Sequence, residues 1–237
     1  MAQNCIAGAV PGEPVPAPGK LTSQLRSQSL SDPYAITSES QLRALYAQPG
    51  RLPAAAKADR LDALCRRFIA LSPLVCISSC DAQGRQDVSP RGDPPGFVQV
   101  LDDRNVAIPD RPGNNKLETL SNIIANPNVA LLFVIPGHDE TLRLFGKARI
   151  SCDPQLLALS IVAEKQPKTV IVVNIELVYP HCGKSFRRAK LWESGGHVER
   201  AKVPSLAEIG LTMAGEKDPP AAQVDQQIQQ SYVSGLY

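Results

Sequence analysis

Shortages in this sequence narrow what the protein can be before any motif is read. Net charge is only +2, from 25 Lys and Arg against 23 Asp and Glu, so no broad basic surface is on offer to nucleic acid or an anionic membrane. No segment reaches the roughly 18 consecutive apolar residues that a membrane span requires. The opening MAQNCIAGAV lacks both a basic start and a long apolar run, and is not expected to act as a secretory signal. The six cysteines form no CxxC pair. Cys76 and Cys80 sit four apart on one strand face, yet no His or acidic residue accompanies them, so zinc is not expected and reduced thiols in a cytoplasmic protein are. What remains is ordinary: 237 residues, 43% hydrophobic and 20% charged, enough chain for one sizeable core.

Residues 1–33 are rich in Pro, Gly, Ser and Gln without a hydrophobic period and are expected to be disordered. Ser38 with Gln41 three residues on reads as a capping box opening a helix at SESQLRALY, ended by Pro49-Gly50. A second helix is expected over Ala54 to Leu71, with Leu61, Leu64, Cys65, Phe68 and Ile69 as its core stripe. Strands follow. PLVCISSC and Arg85 to Ser89 form a hairpin about Asp81-Ala82-Gln83-Gly84, and FVQVL and NVAI form another about Asp102-Asp103-Arg104-Asn105. VALLFVI, TLRLFGKARIS and KTVIVVNIELVYP supply three longer strands, with helices over Lys116 to Ala125 and QLLALSIVAEK between them. Six or seven strands joined mostly by tight turns, with inserted helices, call for a closed or nearly closed antiparallel barrel. Beyond Val203, PSLAEIGLTMAG and VDQQIQQSYVSGLY read as helices, the second with Val224, Ile228, Tyr232 and Leu236 on one face.

One stretch concentrates chemistry. Residues 84–122 place Arg85, Arg91, Arg111 and Lys116, the amides Asn114 and Asn115, and two Pro/Gly turns around short apolar runs. The helix after PDRPGNNK is expected to begin near Asn114 or Asn115 and to aim its free N–H groups and positive dipole end into the loop. A phosphate suits such a place, because Arg and Lys hold it by charge-assisted bonds. A solvated loop whose Asn caps a helix is the plainer alternative. A second basic cluster, HCGKSFRRAKLWES, holds Lys184, Arg187, Arg188 and Lys190 beside the single Trp192, and on its own reads as a solvated helix face with one anchoring aromatic. His181-Cys182 has no acid placed to orient the histidine and reads as a structural junction.

The runs DVSPRGDPPGF, IPDRPGNNK, NPNVALLFVIPG and TLRLFGKARI resemble the FMN-binding split-barrel proteins related to pyridoxamine 5′-phosphate oxidase. More narrowly they are similar to a bacterial subgroup of FMN-dependent enzymes. The likeness runs from about Ile36 to Trp192, and more weakly to PSLAEIG and the final LY. It implies an α+β fold: a six- to seven-stranded antiparallel split β-barrel with inserted and flanking helices, over residues 34–200, followed by a helical extension over 201–237. It implies a homodimer with FMN bound non-covalently between subunits. The phosphate would be held by Arg91, Arg111, Asn114, Asn115 and Lys116, with Ser89 and Asp110 bonding phosphate, ribityl chain or ring edge. Lys184, Arg188, Lys190 and Trp192 would reach in from the partner chain. Ala189 departs from the pattern, where a small polar residue is usual. The implied reaction is hydride or electron transfer between NAD(P)H or a small organic substrate and FMN. An FMN shuttle without turnover and a carrier of pyridoxal phosphate or another phosphate ester are the alternatives. Pyridoxamine-phosphate oxidation itself is not expected, because that enzyme's substrate-binding pattern is missing after Trp192.

Overall fold

The computed structural model describes residues 32–237, so the expectation for residues 1–33 lies almost wholly outside the described residues. The described residues fall into two units that divide between Ala54 and Ala55. In the first, α1 (Glu39–Leu45) starts at a full capping box: the Ser38 hydroxyl accepts from Gln41 N and the Gln41 side chain turns back to the Ser38 main chain. α2 (Arg51–Ala55) follows and runs across the boundary at Ala54.

The helix expected over 54–71 is interrupted. In the second unit, α3 runs only from Ala63 to Leu71, because Asp62 caps it, accepting from Cys65 N at 2.7 Å. The preceding residues are drawn into the sheet instead: Ala58 and Val178 exchange both main-chain bonds, at 3.0 and 2.8 Å. Leu61, Cys65, Phe68 and Ile69 of the expected stripe join the core, whereas Leu64 is exposed.

Seven strands follow: β1 (Leu74–Cys80), β2 (Gln86–Gly92), β3 (Gln99–Val100), β4 (Asn105–Pro109), β5 (Asn128–Val134), β6 (Thr141–Ser151) and β7 (Val170–His181). They form one antiparallel sheet in the order β2-β1-β5-β6-β7-β4-β3. Alternate residues point inward: Val75 and Ile77 on β1, Leu131 and Phe133 on β5, Leu142 and Leu144 on β6, Ile171 and Val173 on β7, Val106 and Ile108 on β4. All of these belong to a single cluster. A sheet whose distant strands share one core has curled on itself, which makes this an α+β split barrel. β3 keeps only two ladder residues because Phe97 N turns back to Pro94 O, though Phe97 and Val98 remain buried.

Two further helices differ from the sequence reading. α4 (Glu118–Ala125) starts at Glu118, not at Asn114, Asn115 or Lys116, because Asn115 and Leu117 take left-handed conformations at φ 58° and 60° and delay the helix. α5 (Pro154–Ala158) is much shorter than QLLALSIVAEK, since Ala163 and Glu164 are left-handed and Val162 and Lys165 exchange main-chain bonds across that turn. The last helices are α6 (Lys184–Ala189), α7 (Leu206–Ala214) and α8 (Ala221–Ser234). On α8, Val224 and Ile228 are half-buried, while Tyr232 is exposed, as is Leu236 just beyond it. Among the described residues no helix is long and apolar enough to cross a membrane, and no group of three or more His, Cys, Asp or Glu could hold a metal.

Four aspartates that fix the turns carry an acid liability. Hydrogen bonds from Arg60 and Arg104 hold Asp59 at about 2. Main-chain N–H groups of Cys65, Arg85 and Arg104 likewise lower Asp62, Asp81 and Asp102. Because the folded values lie below the unfolded value of about 3.9, the stability they contribute is present above about pH 5 and lost as pH falls toward 2. Urea midpoints should therefore drop across that window, and Asp59→Asn should flatten the slope slightly, because the half-exposed Asp59 is screened by solvent. Identical slopes for the two proteins would refute the assignment to Asp59.

Candidate functional site

A cavity of about 840 Å³ opens between β2, the loop after β4, the start of α4 and the approach to β7. Its size lies within the ~300–1,000 Å³ usual for small-molecule sites. β2 alternates, so Asp87, Ser89 and Arg91 are half-buried on one face while Val88 and Pro90 are exposed. Pairing with β1 fixes that register, Ser89 opposite Ile77 and Arg91 opposite Val75. Asp110 follows the last residue of β4, and its N–H is held by Thr169 O at 3.0 Å. Arg91 Nη1 donates to Asp110 Oδ1 at 2.6 Å, with both side chains 19% exposed. That ion pair ties β2 at one end of the sheet to the loop leaving β4.

Arg111 is anchored differently. Its Nε donates at 2.6 Å to Asp93 Oδ2, a carboxylate only 1% exposed. The Tyr237 hydroxyl donates to the other oxygen of Asp93 at 2.6 Å, and Arg111 Cζ stands 5.3 Å from the Tyr237 ring centroid. The bond to Asp93, then burial, pushes the Tyr237 phenol up. Beyond Arg111 the loop is locally built: Asn114 Oδ1 accepts from Lys116 N at 3.1 Å, and the left-handed Asn115 and Leu117 follow. Left-handed Leu costs roughly 1–2 kcal/mol, the kind of local strain that collects at ligand sites. Thr119 Oγ1 donates to Asp87 Oδ2 at 2.8 Å, pinning the first turn of α4 to β2.

The cavity thus gathers Ser89, Arg91, Asp110, Arg111, Asn114, Asn115 and Lys116. It does not gather Arg85, which is paired with Asp81 in its own hairpin turn. Lys184, Arg188, Lys190 and Trp192 also lie apart from it within one chain. They belong to α6 and the turn after it, which packs on the β5–β6 connection: Trp192 Nε1 donates to His138 O at 2.9 Å, Phe186 meets Trp192 edge-on, and Arg187 pairs with Asp139 at 2.7 Å. His181 Nε2 sits 3.3 Å from Arg143 Nη2 at the end of β7, and burial, then the charge of Arg143, lowers its pKa. Cys65, pushed up to about 11 by burial, then by Asp62, stays a thiol.

The run from Lys165 to Thr169 and Tyr237 also line the cavity and were not among the site residues expected from the sequence. The KQPK run just before β7 was the available signal for the lysines. The final LY entered only as part of the family likeness, and nothing local ties Tyr237 to its partner Asp93, 144 residues away.

Polar groups on this cavity wall lack partners. Arg91 Nε and Thr169 Oγ1 are buried with no hydrogen-bond partner, although buried donors are normally satisfied. Lys116 and Lys168 enter no ion pair among the described residues. Two unpaired ammonium groups beside two arginines on one wall fit an anionic ligand. FMN, with a phosphate and a hydroxylated chain, is of that kind.

Residues 61–182 match the family model described as Pyridoxamine 5′-phosphate oxidase. Among solved structures, a candidate pyridoxamine 5′-phosphate oxidase from Lactobacillus delbrueckii shares 24% identity with this chain (TM-score 0.41, 52% of this chain and 95% of that one). An FMN-binding protein from Syntrophomonas wolfei shares 14% (0.36, 49% and 81%). HutZ, the heme storage protein of Vibrio cholerae, shares 18% (0.36, 53% and 98%). No curated protein matches the chain.

Proposed function

Because the chain belongs to the pyridoxamine 5′-phosphate oxidase family, we propose that its basic cavity holds FMN and that the protein is an FMN-dependent oxidoreductase. The observation that carries this reading is the wall on which Lys116 and Lys168, in no ion pair among the described residues, stand beside Arg91 and Arg111. Arg91, oriented by Asp110, and Arg111, oriented by Asp93, would present their remaining N–H groups to the phosphate. Lys116 and Lys168 would add mobile positive charge. Ser89 and Thr169 would bond the ribityl hydroxyls or the phosphate. When bound, FMN supplies hydride and electron transfer, and the protein's part is to bind it, orient it and set the charge around it. NAD(P)H or a small organic molecule would be the second substrate.

In this reading the protein is a homodimer. Lys184, Arg188, Lys190 and Trp192, which one chain leaves away from its own cavity, would complete the cavity of the partner.

The test is an absorption spectrum of the purified protein and chromatography of the chromophore that heat releases. A flavin spectrum with FMN in the supernatant supports the reading. A colourless protein that takes up no added FMN overturns it. Anaerobic NADH or NADPH should then bleach the bound flavin. If neither these nor any small organic donor does so, the protein is a flavin carrier and not an enzyme.

A further inference from the structure

Arg111 reaches the cavity from a cage made by residues far away in sequence. Asp93 directly follows β2, with its side chain 1% exposed. Tyr237 follows α8 and is fastened at three points: hydroxyl to Asp93 Oδ1, ring beside the Arg111 guanidinium, and main-chain oxygen to Lys165 Nζ at 3.2 Å. A carboxylate facing an arginine ordinarily takes two parallel N–H bonds, one per oxygen. Here it takes one from Arg111, at Nε, and the Tyr237 phenol donates to the other oxygen. The two Nη groups of Arg111 make no hydrogen bond among the described residues, and the residue lines the cavity.

Resting on the anion-binding reading of this cavity, we propose that Tyr237 is a positioning residue for the ligand phosphate. By occupying one oxygen of Asp93 it keeps the terminal N–H groups of Arg111 turned to the cavity instead of locked in a fork. Removing the hydroxyl frees that oxygen to draw an Nη inward, and the ligand loses a charge-assisted bond. The C-terminal segment is thereby part of the site and not a plug in it, since Lys165 spends one of its three donors on Tyr237 and Arg111 spends only Nε on Asp93.

Tyr237→Phe keeps the ring and deletes the hydroxyl. Titration of apoprotein with FMN should show affinity about tenfold weaker, the scale of a hydrogen bond to a charged group. Riboflavin, which lacks the phosphate, should bind as it does to the wild type. In an Arg111→Ala background, Tyr237→Phe should change FMN affinity no further, because its effect runs through Arg111. Wild-type affinity in Tyr237→Phe, equal losses for FMN and riboflavin, or full additivity with Arg111→Ala would each overturn the inference. A wild type that binds pyridoxal phosphate but not FMN sinks the FMN reading alone, and the same cycle with pyridoxal phosphate against pyridoxal then decides the role of Tyr237. A wild type that binds neither ester overturns both.

Discussion

Gly146→Ala should lower folding stability by roughly 3 kcal/mol or more, the range that marks severe overpacking, and the melting temperature by about 10 °C for a chain of this size. The reason is a bulge. Along the β6–β7 ladder Phe145 pairs with Leu177 but Gly146 pairs with Ile175, so Glu176 is the extra residue. The main chains approach so closely there that a Cβ on Gly146 would stand 1.9 Å from Asn174 O and 3.2 Å from Ile175 Cα. All of these are backbone atoms in two long strands, and none can swing aside as a side-chain tip could. The bulge also changes which β7 residues face the core: Ile171, Val173 and Ile175 point in before it, Val178 after it. Val178 in turn pairs with Ala58. Gly113→Ala is the control, because nothing lies within 4 Å of its Cβ position, and it should melt within about 2 °C of wild type, as surface changes do. A Gly146→Ala protein as stable as that control would show that the strands separate at little cost and that the bulge is not held by this contact.

That bulge could not be read from the sequence, and the reason applies to the site as well. Signals between neighbours in sequence were legible. The Asp81–Gly84 turn, the Ser38 cap and the alternation of TLRLFGKARIS each act over two to four residues, and each stands where its chemistry put it. The anion loop was legible because Asp110 to Lys116 are contiguous. Alternation also continues through Gly146 without a break, so the pattern that revealed the strand concealed its closest approach. The start of α4 was misplaced because Asn115 and Leu117 look like helix-forming or capping residues until their left-handed backbone is seen. What makes the cavity more than a basic loop is non-local: Arg91 meets Asp110 across 19 residues, Arg111 meets Asp93 across 18, and Lys165 meets Tyr237 across 72. Reading cations alone, one expects four free charges around an anion. The structure instead gives the two arginines carboxylate partners that aim them, and leaves the mobile charge to lysines.

Arg91→Ala separates holding a ligand from holding the fold. FMN affinity should fall about a hundredfold, because the side chain takes with it the charge-assisted donors that its guanidinium offers the phosphate. Stability should fall too, since Asp110 would keep a charge 19% exposed with no cation beside it. Breaking a fully buried pair costs roughly 3–5 kcal/mol. With a fifth of each side chain exposed to solvent screening, about 1–2 kcal/mol is the reasonable expectation. The double variant Arg91→Ala/Asp110→Ala removes the stranded carboxylate, so most of that stability should return. The lost FMN affinity should not return, because no donor has been restored. Isothermal titration with FMN and urea unfolding of the three proteins read the two effects independently. If the double variant recovers both, Arg91 acted only by neutralising Asp110, and the phosphate rests on Arg111 and the lysines. If Arg91→Ala binds FMN as wild type does, the cavity's ligand does not reach β2, and Thr169 and the lysines mark where it sits.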